Sequence, residues 1–347
     1  MKQKLGYIDH SFHKKTKSTY FLRDILADNF EVIDIWDESW NGGDVLSAEF
    51  INSQNFEYVL FFQSFLPISE LKKIKAKIIW VPMYDGVVGL GDYFWMELPT
   101  LPIKIVSFSK TLSHKMRDFG LDVLNVQYFF DPKKFRIMED FNEIRIFLWQ
   151  RTDISFKHIK KLLGDQKIGK IILKLDIDPG YEAYHPTNAD IKKYNIEIAR
   201  WLDSKDDYFK ALDGCNVFIS PRKFEGIGMS FIEAMAMGMA VVAHDNPTMN
   251  EYINNKINGY LFDYNDLKEI NFQDIRKISA NSRKYCEEGY NKWKEDSNKI
   301  VNFVLSDLKD PVVLTSARLF YVKMAQIEHA VLKKIGLILR YCKVKNL

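Results

Sequence analysis

The sequence has few cysteines and no long apolar run. Its three cysteines, Cys215, Cys286 and Cys342, are far apart and odd in number, with no pair at metal-ligand or redox spacing. No uncharged apolar stretch reaches the about 18 residues of a membrane span, and the first residues lack the apolar core of a secretory signal. These absences argue against a disulfide-stapled secreted domain and an integral membrane protein. We therefore expect a reduced, cytoplasmic protein.

Apolar and aromatic residues, in contrast, are abundant. They make up 47% and 14% of the 347 residues, which is too much for a disordered protein and enough for large cores. Short apolar runs rich in β-branched residues alternate with helical patterns, as a parallel sheet covered on both faces requires. The ten runs are KLGYI, FEVIDI, YVLFF, KIIWV, IKIVSF, IRIFLW, KIILKL, VFIS, AVVA and YLF.

The length of the chain predicts more than one domain. A boundary is expected within Phe129–Glu143, where Pro132 and a charged stretch separate two α/β sets. We predict an N-terminal acceptor domain over 1–138, a donor domain over 139–290, and C-terminal helices with a basic tail over 291–347.

The tail is the most strongly charged part of the chain. Residues 309–347 carry eight Lys/Arg against Asp310 and Glu328, a net charge of +6, which leaves −3 on the remainder. Such a tail is expected to contact an anionic membrane surface, to pack back on the first domain or to contact another subunit. These three alternatives stay open at this point.

Residues 220–245, SPRKFEGIGMSFIEAMAMGMAVVAHD, read as strand, glycine loop, helix and strand. The glycines of the loop permit a ligand to approach the main chain closely. A helix is predicted from Ser230, with Gly238 placed to end it. Its N-terminal amides, those of Gly228, Met229 and Ser230, would suit a diphosphate.

Glu225 and Glu233 flank this predicted anion site. Because a carboxylate repels phosphate, each would instead accept hydrogen bonds from hydroxyls on either side of a diphosphate. A nucleotide sugar carries hydroxyls at both of its ends. A structural alternative stays open for Glu233, since Ser230 and Glu233 also fit the S-x-x-E capping box.

The stretch EGIGMSFIEAMAMG, with the apolar strand, helix and turn after it, closely resembles the donor-site signature of family 4 retaining glycosyltransferases of the GT-B architecture. The resemblance runs from about Ser107 to Asp266. It implies an α/β fold of two Rossmann-like, doubly wound domains that face each other across a cleft, plus C-terminal helices. It also implies retaining transfer of a sugar from a UDP- or GDP-linked donor to a hydroxyl acceptor.

The resemblance also assigns roles to individual residues. Glu225 would bind hydroxyls of the donor sugar, and Glu233 would bind the ribose. Arg151 and Lys157 would neutralise the leaving diphosphate, so Glu225, Arg151 and Lys157 are the predicted catalytic residues. The predicted donor-binding residues are Gly226, Gly228, Met229, Ser230 and Glu233.

Two loops of the first domain are weaker candidates for the acceptor or diphosphate. His13 and Lys17 follow the first predicted strand, where the family usually has a glycine-rich loop. Tyr84 and Asp85 follow the fourth and would overhang the cleft as an acceptor lip. Surface lysines are usually only solvated, and aromatic residues here would fit a core equally well.

A metal site is the less favoured interpretation of Asp176 and Asp178. The pair resembles the Asp-x-Asp metal motif of a different glycosyltransferase architecture, but it stands before Pro179 and Gly180, where aspartates commonly serve turns. We expect no metal and no cofactor, with the nucleotide sugar as co-substrate.

The leading hypothesis is a transferase that builds a bacterial surface polysaccharide, lipopolysaccharide or glycoprotein glycan. Its acceptor would be a glycan, a lipid-linked sugar or a protein, at the inner face of the plasma membrane or free of it, and no nucleic acid is expected as partner. A sugar phosphorylase of related fold and a non-catalytic carbohydrate or nucleotide binder remain as alternatives.

Overall fold

The structure is a computed structural model that describes residues 2–199 and 205–345. Within these residues the strands form two parallel sheets, one in each half of the chain. The first sheet has the order β2-β1-β3-β4-β5-β6. Its strands are β1 (Gln3–His10), β2 (Phe30–Asp37), β3 (Tyr58–Phe62), β4 (Lys77–Val81), β5 (Ile103–Ser107) and β6 (Asp122–Asn125).

The second sheet has the order β12-β11-β10-β7-β8-β9. Its strands are β7 (Arg145–Trp149), β8 (Lys170–Lys174), β9 (Ile196–Ala199), β10 (Val217–Ile219), β11 (Ala240–His244) and β12 (Tyr260–Phe262).

Helices connect the strands and cover both faces of each sheet. In the first half they are α1 (Phe12–Thr16), α2 (Tyr20–Ala27), α3 (Ala48–Ser53), α4 (Ile68–Leu71), α5 (Tyr84–Val87), α6 (Asp92–Glu97) and α7 (Lys110–Asp118). In the second half they are α8 (Phe156–Leu163), α9 (Asn188–Tyr194), α10 (Lys205–Asp213), α11 (Met229–Ala236), α12 (Met249–Tyr252), α13 (Ile275–Leu305) and α14 (Ser316–Lys345). Short 3-10 turns lie at Ser39–Asn41, Leu98–Thr100 and Pro132–Lys134.

The central strands are apolar on both faces because helices pack on both. Every residue of β3 and of β10 is buried. The faces of the second sheet contribute to different cores, since Phe147 and Phe218 pack with α11 and α13 while Ile146 and Ile219 pack with α8. The predicted α/β fold of two doubly wound domains with C-terminal helices is confirmed.

The ten apolar runs of the sequence correspond to ten of the strands, and the two strands outside that set are β6 and β9. Both lie at an outer edge of a sheet, and both carry partly exposed residues along their length. An edge strand is covered on fewer sides, so its sequence needs fewer apolar residues. That is why neither strand stands out as an apolar run.

Helix α13 leaves the second domain and returns to the first. Its residue Trp293 is 6% exposed and contacts three aromatic rings of the first half, with centroids 5.8 Å from Phe21, 6.2 Å from Phe108 and 5.1 Å from Tyr128. Near its end, the buried Lys104 of β5 donates hydrogen bonds to the carbonyl oxygens of Phe303 and Ser306. The helix therefore joins the two domains along one side.

The predicted domain limits do not coincide with the ends of this helix. Residue 290, the predicted end of the donor domain, lies inside α13, which is continuous from Ile275 to Leu305. At the other limit, the Met138 amide already donates to the Met237 carbonyl of the second domain at 2.8 Å. The division at 138 and 290 stays a prediction. Among the described helices, none combines the length and the apolar character needed to cross a membrane.

The aromatic contacts of Trp293 predict a large stability effect. Trp293→Ala should lower the free energy of unfolding by about 3–5 kcal/mol, because it opens a cavity between the domains. Trp40, which is 48% exposed, is the matched control, and Trp40→Ala should cost about 1 kcal/mol or less. Urea unfolding of both variants measures the difference, and similar losses would contradict a bridging role for Trp293.

Candidate active site

The order of the second sheet decides which loops meet. Counted within that domain, it is 3-2-1-4-5-6, so the chain reverses direction of winding between β7 and β10. In open parallel sheets, ligands bind at the carboxyl ends of the strands at this switch point. The loop after β7 carries Arg151, and the loop after β10 carries Arg222 and Glu225. The topology therefore brings the predicted residues Arg151 and Glu225, together with Arg222, to one crevice.

The glycine loop turns into α11 at a left-handed residue. Gly228 is the N-cap, with φ of 79° and no side-chain cap hydrogen bond, so the helix begins at Met229. The predicted start at Ser230 was one residue late, and the capping-box alternative is wrong, because Ser230 lies inside the helix. Gly238 ends the helix as predicted, with φ of 74° and its amide bonded to the Met235 carbonyl.

The start of α11 has the geometry of an anion site. The amides of the first helical turn have no carbonyl partner within the helix, and the helix dipole adds partial positive charge there. Met229 and Ser230 are partly exposed, while Gly226 and Gly228 are buried. A Cβ on Gly226 would lie 3.1 Å from Asp85 Oδ1 of the first domain. The loop is thus packed against the predicted acceptor lip.

Four charged side chains form a chain of ion pairs beside this loop. Arg151 Nε donates to both carboxylate oxygens of Asp178, at 2.7 and 2.9 Å. Arg222 donates to Asp178 at 2.9 Å and to Asp85 across the domain interface at 3.3 Å. We call these residues together with Glu225 the charge cluster. It links loops after β4, β7, β8 and β10.

Glu225 is the most perturbed acid of the charge cluster. Its side chain is buried, with the residue 9% exposed, and burial raises its pKa from 4.5 to about 7. Arg222 and Arg151 lower the pKa, whereas Asp85 and Asp178 raise it, so the neighbouring charges largely offset one another. Burial likewise raises the pKa of Asp85, against the effect of Arg222. With Glu225 protonated, the charge cluster is electrically neutral.

Two buried polar atoms next to Glu225 have no hydrogen-bond partner within the described residues. They are Nε of Arg222 and Oγ of Ser220, the residue directly after β10. A buried donor without a partner costs about 1–3 kcal/mol, more when it is charged. Both atoms therefore favour a polar ligand in the crevice.

Glu233 lies on α11 one turn deeper, where it is buried with 7% exposure. It is close to two tyrosines, Tyr128 of the interdomain segment and Tyr208 of α10. Burial is the main cause that raises the pKa of both hydroxyls, and the carboxylate of Glu233 raises them further. Glu225 thus precedes the start of α11 in the chain and Glu233 follows it, and both are buried.

Lys157 lies apart from the charge cluster. It is the second residue of α8, its side chain is exposed, and it lines a surface groove with Lys160 and Lys161. Asp176 and Asp178 are both engaged with cations, since Asp176 contacts Lys174 at 2.5 Å and Asp178 contacts the two arginines. Among the described residues, no three side chains of the metal-ligating types form a metal cluster.

The first sheet has its own switch point, between β1 and β3. His13 of α1 lies at this edge, where its Nδ1 is 2.7 Å from the buried Asp9 of β1. Asp9 also accepts a hydrogen bond from Thr19 Oγ1 at 2.5 Å. A carboxylate can only accept, so Nδ1 of His13 donates to Asp9 and Nε2 is left for another partner.

The other candidates of the first domain are placed as follows. Lys17 has a left-handed φ of 54° and its ammonium lies 5.7 Å from the Tyr20 ring centroid. Tyr84 lies 6.3 Å from the Phe224 ring, and burial followed by the charge of Glu251 raises its pKa. The structure therefore brings Tyr84 and Asp85 to the donor loop.

A second set of hydrogen bonds joins the two domains near Tyr128, a residue of the interdomain segment. The Glu251 carboxylate accepts hydrogen bonds from Ser109 Oγ at 2.9 Å and from the amides of Lys110 and Thr111 at 2.6 and 2.9 Å. It therefore caps α7 from the other domain. Tyr252 adds a hydroxyl that pairs with the main chain of Tyr128.

Sequence reasoning missed Arg222, Asp178 and Asp9 as members of these sites. A signal existed for Arg222, which stands in a basic pair three residues before Glu225. Asp178 was interpreted as a turn residue, and its carbonyl does close a turn by accepting a hydrogen bond from the Tyr181 amide. Its pairing with two arginines depends on a contact between separate loops, which no local pattern reports.

The family profile described as Glycosyl transferases group 1 matches residues 188–299, from α9 into α13, which include the glycine loop. The chain carries a glycosyl transferases group 1 domain. Arg222, Glu225 and Glu233 lie within the matched residues, whereas Arg151 and Asp178 precede them.

Two curated relatives match part of the chain. The N,N'-diacetylbacillosaminyl-diphospho-undecaprenol α-1,3-N-acetylgalactosaminyltransferase of Campylobacter jejuni is 31% identical over 75 residues, 22% of this chain and 20% of that protein. An uncharacterized 41.2 kDa protein in the cps region of Klebsiella pneumoniae is 27% identical over 99 residues, 28% of this chain and 25% of that protein. The chain matches a quarter or less of the length of these relatives.

Solved structures with low sequence identity share the fold over nearly their whole length. The sucrose-phosphate synthase of Thermosynechococcus elongatus superposes with a TM-score of 0.61 at 13% identity, over 87% of this chain and 98% of that one. A glycosyltransferase of Rickettsia africae gives 0.59 at 14%, over 88% and 99%. Anabaena HepE in complex with UDP gives 0.57 at 12%, over 86% and 100%. The GT-B fold is confirmed. The group 1 domain therefore lies in a protein of GT-B fold.

The raised pKa of Glu225 predicts a pH-dependent stability. Because the folded chain holds this proton more tightly than the unfolded chain, the stabilisation is full below pH 4.5 and is lost as pH rises through about 7. Glu225→Gln keeps the neutral form at every pH. The free energy of unfolding of Glu225→Gln, relative to that of the wild type, should therefore rise by about 2 kcal/mol from pH 5 to pH 8.

Urea unfolding at both pH values measures this gain. Glu288→Gln on the exposed face of α13, where the carboxylate is 66% exposed, is the matched control and should give the same difference from wild type at both pH values. A Glu225→Gln variant whose difference from wild type did not change with pH would contradict the burial of an ionisable Glu225.

The turn at Gly228 predicts a second stability effect. In Gly228→Ala the new Cβ would lie 1.9 Å from Cε1 of Phe231, a fully buried ring packed against Tyr252. Gly180 has a similar φ of +89° but open space around it, so Gly180→Ala should cost about 1 kcal/mol. Gly228→Ala should lower the free energy of unfolding by about 2 kcal/mol more than Gly180→Ala does. Equal losses in urea unfolding would show that the ring gives way.

Proposed function

We propose that this protein is a retaining glycosyltransferase that moves a sugar from a nucleoside-diphosphate sugar to a hydroxyl acceptor. The observation that carries the proposal is the buried Glu225, held beside the free amides of α11 and the unpartnered Arg222 Nε in the interdomain crevice. A ligand that fits must offer hydroxyls to the acid and an anion to the amides. A nucleotide sugar offers both.

The names of similar proteins support the same class. The Campylobacter relative transfers N-acetylgalactosamine to a diphospho-undecaprenol-linked sugar by its name, the Klebsiella relative lies in a cps region, and the Anabaena structure holds UDP. We infer a UDP- or GDP-linked donor. The acceptor is a glycan, lipid-linked sugar or protein, in the assembly of a bacterial surface polysaccharide, lipopolysaccharide or glycoprotein glycan.

The proposed step needs little chemistry from the protein. The acceptor oxygen bonds to the anomeric carbon on the face from which the diphosphate oxygen leaves, and a phosphate oxygen takes the acceptor proton. Catalysis then consists of positioning and of stabilising the charge that develops on the diphosphate. The amides of Gly228, Met229 and Ser230 supply that stabilisation, and no metal is part of the proposed step.

The side chains divide this work. Glu225 binds hydroxyls of the donor sugar, with Gly226 permitting close approach, and Glu233 binds the ribose. Arg151 neutralises the diphosphate, and we propose the same role for Arg222, whose Nε is buried without a partner in the described structure. Lys157 remains a candidate for the diphosphate from the first turn of α8.

The acceptor is proposed to bind at the edge of the first sheet. The contact of Nδ1 with Asp9 orients the His13 ring and leaves Nε2 for a sugar hydroxyl. Asp85 and Tyr84, which follow β4, are proposed to border the same opening, and Lys17 stays a candidate for the acceptor or the diphosphate. Adjacent strands lie about 4.8 Å apart, so the ends of β1 and β4, two steps away in the sheet, are separated by roughly 10 Å.

A donor panel tests the proposal. UDP- and GDP-sugars are incubated with the protein, and release of nucleoside diphosphate is measured with water or simple glycosides as acceptor. One donor should be turned over, and Glu225→Ala should lower that rate on the order of a hundredfold. The anomeric configuration of the first-formed product, read by NMR, should match that of the donor.

The control is Glu288→Ala, which removes an exposed carboxylate of the same type from α13. Unchanged turnover in Glu225→Ala would remove Glu225 from the donor site, and an inverted product would refute retention. Sugar phosphate formed from inorganic phosphate would identify a phosphorylase instead. Thermal stabilisation by a nucleotide sugar without any turnover would identify a binding protein.

A further inference from the structure

Over residues 316–332, helix α14 lies against the first domain with one face only. After α13 the chain runs along that domain, where Lys309 contacts Asp122 at 3.1 Å and the Val312 amide donates to the Pro99 carbonyl. The helix then packs on α6 through Val322, which is 2% exposed. One turn further on, Gln326 Nε2 donates to Glu97 at 2.6 Å, and the His329 ring lies 5.9 Å from Tyr93.

The opposite face of α14 is apolar and exposed. Residues 322, 326 and 329 share the docked side, so helical geometry places residues 320, 324, 327 and 331 on the other side. These four are Phe320, Met324, Ile327 and Val331, and they are 67%, 49%, 58% and 49% exposed. We call them the apolar stripe. A contiguous patch of this kind marks a site of contact with another surface.

Positive charge borders the apolar stripe. Lys323 and Lys334 are exposed and, by helical geometry, lie along one edge of the stripe. The tail from residue 309 onward has eight Lys/Arg and two acidic residues. A second copy of the chain would therefore meet a helix of the same charge, and the two would repel each other. An anionic bilayer supplies both the apolar interior and the negative charge that the helix lacks.

We propose that α14 lies in the plane of an anionic membrane surface, with the apolar stripe in the acyl boundary and its lysines among the lipid phosphates. The inference stands apart from the proposed enzymatic activity, because it uses no residue of the crevice. It also orients the molecule. Since α6 follows the lip that carries Tyr84 and Asp85, the helix would hold the opening of the crevice near the bilayer, where a lipid-linked acceptor is presented.

Vesicle sedimentation with the full chain tests the inference without any sugar substrate. The protein is mixed with vesicles of phosphatidylcholine alone and with vesicles of phosphatidylcholine and phosphatidylglycerol, at low and at high salt. We expect binding to the anionic vesicles, weakening as salt rises, and little binding to the neutral ones. The double variant Phe320→Ser/Ile327→Ser should bind on the order of tenfold more weakly.

Two further variants separate the contribution of the lysines from that of the apolar stripe and control for the loss of an exposed apolar side chain elsewhere. Lys323→Glu/Lys334→Glu should also weaken anionic binding and reduce its salt dependence. Ile257→Ser, which removes an isoleucine that is 59% exposed in a turn of the second domain, is the matched control and should bind like the wild type. Thermal unfolding of each variant confirms that it is folded.

The outcomes that overturn the inference are specific. Absence of binding to the anionic vesicles would refute it, as would equal binding by the wild type and the Phe320→Ser/Ile327→Ser variant. A concentration-dependent dimer that this variant abolishes, without vesicle binding, would assign the apolar stripe to a second copy. Donor turnover with water as acceptor should be the same in this variant and the wild type, so failure of this inference and failure of the proposed function are distinguishable.

Discussion

The site depends on one constraint, the burial of the Glu225 carboxyl in the crevice between the two sheets. A buried acid is costly to ionise, and here two arginines and two other acids surround it at an almost balanced charge. The protonated form makes the charge cluster neutral, so the crevice tolerates the acid without a dedicated partner. An anion that enters next to Glu225 would favour the same protonated form, because it adds negative charge nearby. The local chemistry is therefore suited to a ligand that combines hydroxyls with phosphate.

The crevice exists because the carboxyl ends of the strands in the two parallel sheets face each other. Each sheet changes its direction of winding once, between β1 and β3 and between β7 and β10. These two switch points collect His13 with Asp9 on one side and Arg151 with Glu225 on the other. Arg222, Glu251 and Trp293 then hold the sides together through an ion pair, a helix cap and an aromatic cluster. The same contacts that stabilise the pair of domains also shape the crevice.

Much of this arrangement was predictable from local patterns. The ten apolar strands, the glycine loop and the end of α11 at Gly238 all follow from the side chains within a few residues. The start of α11 did not, because a glycine in a left-handed conformation replaced Ser230 as the cap. The edge strands β6 and β9 escaped notice because polar residues interrupt or flank their apolar ones. Lys157 fitted a spacing, yet its side chain is exposed along α8 instead of joining the charge cluster.

The sequence by itself determined the alternation of strands and helices, the resemblance of the Glu225 loop to a donor site, and the excess of positive charge at the end of the chain. These depend on residues close together in the chain. Only the tertiary structure decided that Arg222 bridges Asp178 and Asp85, that Asp9 orients His13, and that α14 docks through Val322 while its other face stays open. Each of these is a contact between segments far apart in sequence, and the energy of burial and charge pairing that fixes it arises only when the sheets are assembled.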